Sequence, residues 1–128
     1  VTALEAAHKR GVKLQILTDA LQATGKSSKV LELVRSGVDL KVHSVHKIMH
    51  NKFAIFDGVK AVSGSYNWTE AASKQNSENC VVFTELPVID SYAKEFKRLW
   101  QINTLEKSQA KIKALIEREK DRIPAQDQ

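Results

Sequence analysis

The chain has 128 residues, of which 42% are hydrophobic and 27% charged, a composition typical of one globular domain. Its formal net charge of +5 favours an anionic partner such as nucleic acid or an acidic membrane surface, although many globular domains carry a similar charge. The sequence lacks a run of about 18 apolar residues, which excludes a transmembrane helix within it. The single cysteine, Cys80, excludes an internal disulfide, and its apolar surroundings predict a buried thiol.

The first forty residues predict alternating helices and strands. Residues 2–10 have a helical apolar stripe that ends at Gly11, and residues 12–18 alternate between polar and apolar as a strand does. Ser28 is a candidate cap for a helix running to about residue 35, and residues 38–42 form a second strand. This order predicts an α/β fold with some parallel strands.

Residues 50–63 predict a hairpin that carries polar side chains at one end. His50 and Lys52 are two residues apart, so on a strand they project from the same face. The apolar run of residues 53–56 predicts a buried strand, and Asp57-Gly58 is a turn signal. A returning strand at about residues 60–63 completes the hairpin.

The returning strand delivers three further residues, Gly64, Ser65 and Asn67, to the end that carries His50 and Lys52. A cation and neutral donors suit the oxygens of a phosphate, and an imidazole can attack the phosphorus. These residue types therefore predict a phosphate-binding and phosphate-transferring site.

These positions resemble the signature of the phospholipase D superfamily, called HKD after its residues. The pattern is His-x-Lys, four residues, Asp, six residues, and then Gly-Gly/Ser-x-Asn. Every fixed position is met in this chain, by His50, Lys52, Asp57, Gly64, Ser65 and Asn67. The surroundings of the motif, from about residue 4 to residue 100, are similar to the small bacterial endonucleases of the Nuc type. The resemblance implies a mixed, mostly β sheet flanked by helices.

The resemblance also implies a mechanism. One histidine attacks phosphorus and forms a phosphohistidine, and a second histidine protonates the leaving oxygen. This chain has one motif, so the resemblance implies a homodimer in which two copies of His50 share one site. Lys52, Ser65 and Asn67 would hold the phosphate, Asp57 and Gly64 would support the structure, and neither a cofactor nor a metal ion is expected.

Glu78 lies two residues before the apolar strand at residues 80–83. A carboxylate that enters a buried strand is unfavourable unless it is paired or has a function. It is either a salt-bridge partner at the rim of the site or the residue that orients the His50 ring, and the similar nucleases favour the second role. His46 and His50 have a spacing that binds zinc on a helix, but no third ligand is spaced to complete such a site. We expect His43 and His46 near the mouth of the cleft, in reach of substrate.

Two helices follow the strand. Pro87 begins a helix with a core-facing stripe that reaches Trp100, and residues 104–122 form a charged helix with a thinner stripe that includes Ile112 and Leu115. We expect residues 1–103 to form a phospholipase D-like nuclease domain and residues 104–128 a charged helix and tail. Similar nucleases have a helix and a strand before the equivalent of Thr2. Either this chain is an N-terminally truncated domain or a neighbouring chain completes the sheet, and we expect the truncated domain, because a missing central strand would expose a long unpaired edge.

The sequence therefore predicts a metal-independent phosphodiesterase, most simply a non-specific endonuclease that cleaves DNA or RNA. Two alternatives stay open: a phospholipase D or cardiolipin-type hydrolase, with phospholipid as substrate, and a non-catalytic nucleic-acid-binding module. The compartment also stays open, because a bacterial soluble protein of this type is either exported to the periplasm or retained in the cytoplasm.

Overall fold

The computed structural model describes residues 2–19, 23, 28–44, 51–64 and 79–122. The chain divides into two compact units, one formed by residues 1–49 and 102–128 and the other by residues 50–101. The elements in chain order are α1 (Thr2–Lys9), β1 (Gln15–Asp19), α2 (Val30–Arg35), β2 (Asp39–His43), β3 (Phe53–Phe56), β4 (Lys60–Gly64), β5 (Cys80–Phe83), α3 (Leu86–Ile102) and α4 (Leu105–Arg122).

The first unit contains a pair of parallel strands. β1 pairs with β2 in a register that runs from Gln15 opposite Asp39 to Asp19 opposite His43. Parallel strands need a crossover connection, and helix α2 lies on the stretch of chain that joins them. The carboxyl ends of both strands therefore lie at one edge, with Asp19 and His43 side by side.

Glycine ends the first helix, as the sequence predicts. Gly11 has φ 88, a left-handed conformation that costs other residues strain. Its N–H donates to the carbonyl of His8 at 2.9 Å, and the N–H of Val12 donates to the carbonyl of Ala7 at 3.1 Å. This pair of bonds is the Schellman arrangement, which satisfies carbonyls that have no partner within the helix.

The core of the first unit is aliphatic and includes helix α4. The buried cluster comprises Ala23, Val30, Leu33, Val38, Leu40, Val42 and Leu115. Leu115 of α4 is in this cluster and Ile112 packs against it, so the thin apolar stripe predicted for α4 faces the core. Burying one such aliphatic side chain contributes roughly 1.5–3 kcal/mol. Helix α4 is therefore part of the packed structure around β2 and α2.

An ion pair on the surface also joins α2 to α4. The Arg35 guanidinium contacts both carboxylate oxygens of Glu119, at 3.4 and 2.5 Å. The hydrogen bond from Arg35 lowers the pKa of Glu119. Both groups are exposed, so water and salt screen the pair and its contribution to stability is small.

The second unit contains a three-stranded antiparallel sheet in the order β3-β4-β5. The hairpin predicted at Asp57-Gly58 is confirmed. Asp57 has φ 54 and Gly58 has φ 67, and the N–H of Val59 donates to the carbonyl of Phe56 at 3.0 Å. Two consecutive left-handed residues are the pattern of a type I′ turn, whose twist matches that of the strands.

Helix α3 covers one face of this sheet with aromatic side chains. The ring of Tyr92 lies 5.1 Å from that of Phe53 on β3 and 5.8 Å from that of Phe83 on β5. Phe96 lies 6.4 Å from Phe53 and 5.7 Å from Trp100. Such pairs are worth about 0.5–1.5 kcal/mol beyond the area that they bury.

The predicted α/β fold class is confirmed, since helices accompany both a parallel and an antiparallel set of strands. Element boundaries differ from the predicted ones by up to three residues: β1 begins at Gln15 rather than residue 12, and α3 begins at Leu86 rather than Pro87. The predicted division of the protein at residue 103 stays a prediction. Within the described part of the chain, no helix has the length and apolarity needed to cross a lipid bilayer.

Candidate active site

The β3–β4 hairpin brings the two halves of the HKD motif to the same end. Phe53, the first residue of β3, pairs with Ser63 of β4. Lys52 directly precedes Phe53 and Gly64 directly follows Ser63, so Lys52 and Gly64 lie at the open end of the hairpin. The antiparallel register therefore explains why six residues separate Asp57 from Gly64 in the motif.

Strand β5 brings a third segment to that end. Gly64 pairs with Cys80, the first residue of β5. Asn79 directly precedes Cys80 in the chain, and Glu78 directly precedes Asn79. The start of β3, the end of β4 and the start of β5 thus share one end of the sheet. This end is the candidate active site.

Gly64 allows an unusually close approach between two of these segments. A Cβ placed on Gly64 would overlap the carbonyl oxygen of Asn79 and lie 2.9 Å from its carbonyl carbon. The same Cβ would lie 3.0 Å from the Cα of Cys80. Real Cβ atoms are not found so close to backbone atoms, so any other residue at position 64 would displace the start of β5. The glycine of the motif is required here by space.

Asp57 lies at the other end of the hairpin, in the turn. The strand between Lys52 and Asp57 has four residues, a length of about 13 Å. A carboxylate in this place cannot contact a phosphate held at the Lys52 end. Its left-handed conformation, which Asp and Asn tolerate better than most residues, supports the predicted structural role.

The aromatic cluster fixes the residue next to Lys52. Phe53 contacts Tyr92 and Phe96 of helix α3, so the start of β3 is held by side chains from outside the sheet. Lys52 itself is partly buried and immediately precedes the strand rather than lying within it. The prediction that His50 and Lys52 share a face assumes that both lie on a strand. The described strand begins only at Phe53, so the shared face stays a prediction.

Several predicted site residues lie outside the described part of the chain. These are His50, Ser65, Asn67 and Glu78, together with His46. Their roles stay predictions. Of the predicted set, the described residues Lys52 and Gly64 share one end of the sheet, and Asp57 occupies the opposite end.

His43 does not have the exposed position predicted for it. Its ring is 1% exposed, and its Nδ1 lies 2.8 Å from Nδ2 of Asn103. A buried ring with a hydrogen-bond partner is not at the mouth of a cleft. The prediction missed this because Asn103, its partner, is 60 residues away in the sequence.

The predicted burial of Cys80 is also wrong, because the thiol is exposed. Among the described strands, β5 lies at one edge of its sheet, and Val81 and Val82 beside Cys80 are 50% and 57% exposed. An apolar run does not distinguish an edge strand from a central one. Among the described residues, no three His, Cys, Asp or Glu side chains are arranged to hold a metal ion.

Comparisons with known proteins place the chain in a family. The family described as "Cardiolipin synthase, PLD-like domain" matches residues 1–100. The chain is 42% identical over 91 residues to a phospholipase D of Rickettsia conorii, covering 71% of this chain and 46% of that protein. It is 35% identical over 94 residues to a mitochondrial cardiolipin hydrolase of Xenopus tropicalis, covering 73% and 45%. The chain spans a little under half the length of these two relatives.

A solved structure supports the same assignment. The fold is similar to that of Nuc from Salmonella typhimurium, a phospholipase D family member, with a TM-score of 0.72 and 36% sequence identity. The match covers 78% of this chain and 68% of that one. The chain therefore belongs to the phospholipase D-like family and resembles its Nuc-type endonucleases, as the HKD motif predicts.

Proposed function

We propose that this chain belongs to a metal-independent phosphodiesterase that cleaves nucleic acid, with DNA favoured over RNA as the substrate. The complete HKD motif carries this proposal. Its support in the fold is the arrangement of Lys52, Gly64 and Asn79 at one end of the antiparallel sheet. Family membership supports the chemistry, and the likeness to Nuc supports a nuclease.

In the proposed reaction, a ring nitrogen of His50 attacks the phosphorus of a phosphodiester. The bond from phosphorus to the leaving oxygen breaks, and His50 of a second copy gives that oxygen its proton. The second imidazole then takes a proton from water, whose oxygen attacks phosphorus and breaks the P–N bond. One ring must start neutral and the other protonated, which is why two copies are needed.

The remaining motif residues stabilise charge in this scheme. Lys52, Ser65 and Asn67 donate to the phosphoryl oxygens as negative charge develops on them. Glu78 accepts from the His50 ring, which orients the ring and favours its protonated form. Lysines from the two copies supply the positive charge that metal ions supply in other phosphodiesterases.

A lipid hydrolase is the second candidate. The names of the curated relatives, phospholipase D and cardiolipin hydrolase, favour it. The exposed side chains of Val81 and Val82, which follow Cys80 on β5, would also suit a lipid surface. By contrast, exposed Phe56 and Val59 lie at the turn end of the hairpin, away from Lys52. The net charge of +5 and the likeness to Nuc favour nucleic acid.

A matched assay separates these functions. The wild-type chain and His50→Ala are incubated with DNA, RNA and phospholipid vesicles, each in excess EDTA. We expect cleavage of DNA by wild type alone, weakening as salt rises because phosphate contacts release counterions. Cleavage of vesicles with neither nucleic acid touched would replace the nuclease with the lipid hydrolase. Binding to DNA without cleavage of any substrate would favour the non-catalytic module.

A further inference from the structure

A buried hydrogen-bond network holds the end of β2 against residues 103–108. Asn103 is 0% exposed, and its Oδ1 accepts a hydrogen bond from the backbone N–H of Ser44 at 2.9 Å. The N–H of Val42 donates to Oγ of Ser108, which is 1% exposed, at 3.0 Å. Buried polar side chains cost free energy unless they are paired, and these are paired with the backbone of one strand end.

The network also fixes the protonation of His43. A backbone N–H can only donate, so the group of Asn103 that faces Ser44 must be the oxygen. The amide nitrogen of Asn103 then faces Nδ1 of His43, at 2.8 Å, and donates to it. Nδ1 must accept, so His43 is neutral and carries its proton on Nε2. We name these two bonds, from Asn103 to Ser44 and to His43, the Asn103 clasp.

In the sequence, the clasp joins residues on either side of the motif-bearing unit. All the HKD residues and Glu78 lie within residues 50–101. Ser44 precedes this range, and Asn103 directly follows Ile102, the last residue of α3. One side chain therefore ties together the two points of the chain that flank the unit.

The clasp lies partly beyond the region that the family shares. The family match ends at residue 100, and Asn103 and Ser108 follow it. The segment after the matched region thus supplies buried contacts to β2, whose last residue, His43, is seven residues before His50 in the sequence. The rate of a reaction depends steeply on the placement of the reacting groups, because a displacement of about 1 Å can lower the rate about 100-fold.

We propose that Asn103 is a positioning residue for phosphodiester cleavage, acting through Ser44 and His43 on the segment that leads to His50. The assignment rests on the proposed function. Asn103 touches neither phosphate nor the reacting atoms in this account. It holds His43 and Ser44, which precede the motif-bearing unit in the sequence, against the residue that follows Ile102, and the proposed effect on catalysis is measured as a change in kcat.

Three variants test the assignment. Asn103→Ala removes both bonds of the clasp. Asn103→Asp keeps an oxygen for the N–H of Ser44 but replaces the donor that faces His43 with an acceptor. Ser44→Ala is the matched control, because the hydroxyl of Ser44 is buried without a hydrogen-bond partner among the described residues, and the substitution leaves the backbone N–H in place.

We expect the loss of the Asn103 side chain to lower kcat and to leave KM nearly unchanged. In Asn103→Ala that is folded by circular dichroism, kcat falls about 10- to 100-fold while KM stays within about threefold. Asn103→Asp recovers part of the lost kcat, since it keeps the bond to Ser44, and Ser44→Ala matches wild type. If Asn103→Ala does not fold, Asn103→Asp carries the kinetic comparison.

Nitrogen NMR of the His43 ring gives an independent readout. Wild type at pH 8 should show a proton on Nε2 only, and Asn103→Asp should show protons on both nitrogens, because a carboxylate beside Nδ1 favours the charged ring. Among the described residues, the titratable groups placed beside His43 by the strands are Asp19, its register partner on β1, and Lys41, two residues before it on β2, and all variants keep both.

Wild-type kcat in folded Asn103→Ala and Asn103→Asp would overturn the assignment, as would an equal loss in Ser44→Ala. A wild-type proton on Nδ1 of His43 would show that the clasp does not form as described. A wild-type chain that cleaves no substrate would overturn the proposed function and the positioning role with it. The His43 spectrum would then still show whether the clasp itself exists.

Discussion

Gly64 and Asn79 approach so closely that a single added methyl group on Gly64 would overlap the carbonyl oxygen of Asn79. One residue ends β4 inside the HKD motif, and the other stands between Glu78 and the start of β5. The contact links the motif glycine to the segment that carries the proposed partner of His50. Assembly of the site therefore requires a residue without a Cβ atom at position 64.

Gly64→Ala should lower both stability and turnover. We expect a loss of about 1–3 kcal/mol in the free energy of unfolding, because the backbone of β5 must move to admit the methyl group. Turnover per folded molecule should fall at least about tenfold, since Glu78 directly precedes Asn79, whose carbonyl group must move. Urea unfolding and initial rates on the same preparations measure the two effects.

Gly11→Ala is the control for this experiment. Gly11 also has a positive φ, but nothing lies within 4 Å of the position a Cβ would take. We expect a cost of about 1–2 kcal/mol from backbone strain and unchanged turnover. Equal turnover in the two variants would show that the close approach at Gly64 has no part in the site.

Asp57 should affect stability and leave chemistry intact. Asp57→Asn should be neutral, because Asn adopts the left-handed conformation at φ 54 as readily as Asp. Asp57→Val should destabilise the protein by about 1–2 kcal/mol or more, since a branched Cβ is strained at positive φ. Thermal unfolding checks both, and turnover per folded molecule should match wild type. A folded Asp57→Asn without activity would instead give this carboxylate a chemical role.

The hairpin shows how far the sequence predicts the fold. The strand at residues 53–56 and the Asp57-Gly58 turn follow from local patterns, and both are found where they were predicted. The predicted burial of this strand is wrong, because its first three residues are half-buried and Phe56 is 49% exposed. A local pattern also marks the end of α1 at Gly11. The cap predicted for α2 is one residue off, because Lys29 rather than Ser28 is the N-cap residue, although Oγ of Ser28 accepts from the N–H of Val30 at 3.3 Å. Burial that depends on contacts between residues far apart in the sequence is harder to predict. Cys80 was predicted to be buried because nothing in its run shows that β5 is an edge strand.

The Asn103 clasp was not predictable for the same reason. Asn103 and Ser108 are small polar residues around the start of a charged helix, and sequence patterns assign such residues to the surface. Their partners, on β2 and at Ser44 directly after it, are 59 to 66 residues away. The motif, by contrast, specifies chemistry through fixed spacing, and the antiparallel register of β3 and β4 explains that spacing for Lys52 and Gly64.

Glu78→Gln should preserve the fold and reduce turnover by about 10- to 1,000-fold, the range for groups that assist proton transfer. A neutral amide at this position would orient the His50 ring but not stabilise its charge. Circular dichroism and kcat on one DNA substrate test this. Turnover equal to wild type would leave Glu78 with the other role considered for it, a salt bridge at the rim.

A shared site makes a specific prediction for mixed subunits. After subunit exchange with an equal amount of His50→Ala, the activity of a fixed amount of wild type should fall to about half, because random pairing separates wild-type partners. Sedimentation at micromolar concentration should show a dimer for both proteins. Activity unaffected by the inactive copy, or an active monomer, would contradict a site built from two chains.

The proposed reaction requires a covalent bond between His50 and phosphorus, and trapping that bond is the decisive experiment. Wild type is mixed with a phosphate-labelled DNA substrate in excess EDTA and quenched within one turnover in alkaline denaturant, which preserves phosphohistidine. Peptide mass spectrometry then locates the label. We expect a phosphate-linked adduct on His50 that is absent from His50→Ala. Rapid cleavage with no adduct, an adduct on another residue, or cleavage only after magnesium is added would contradict it.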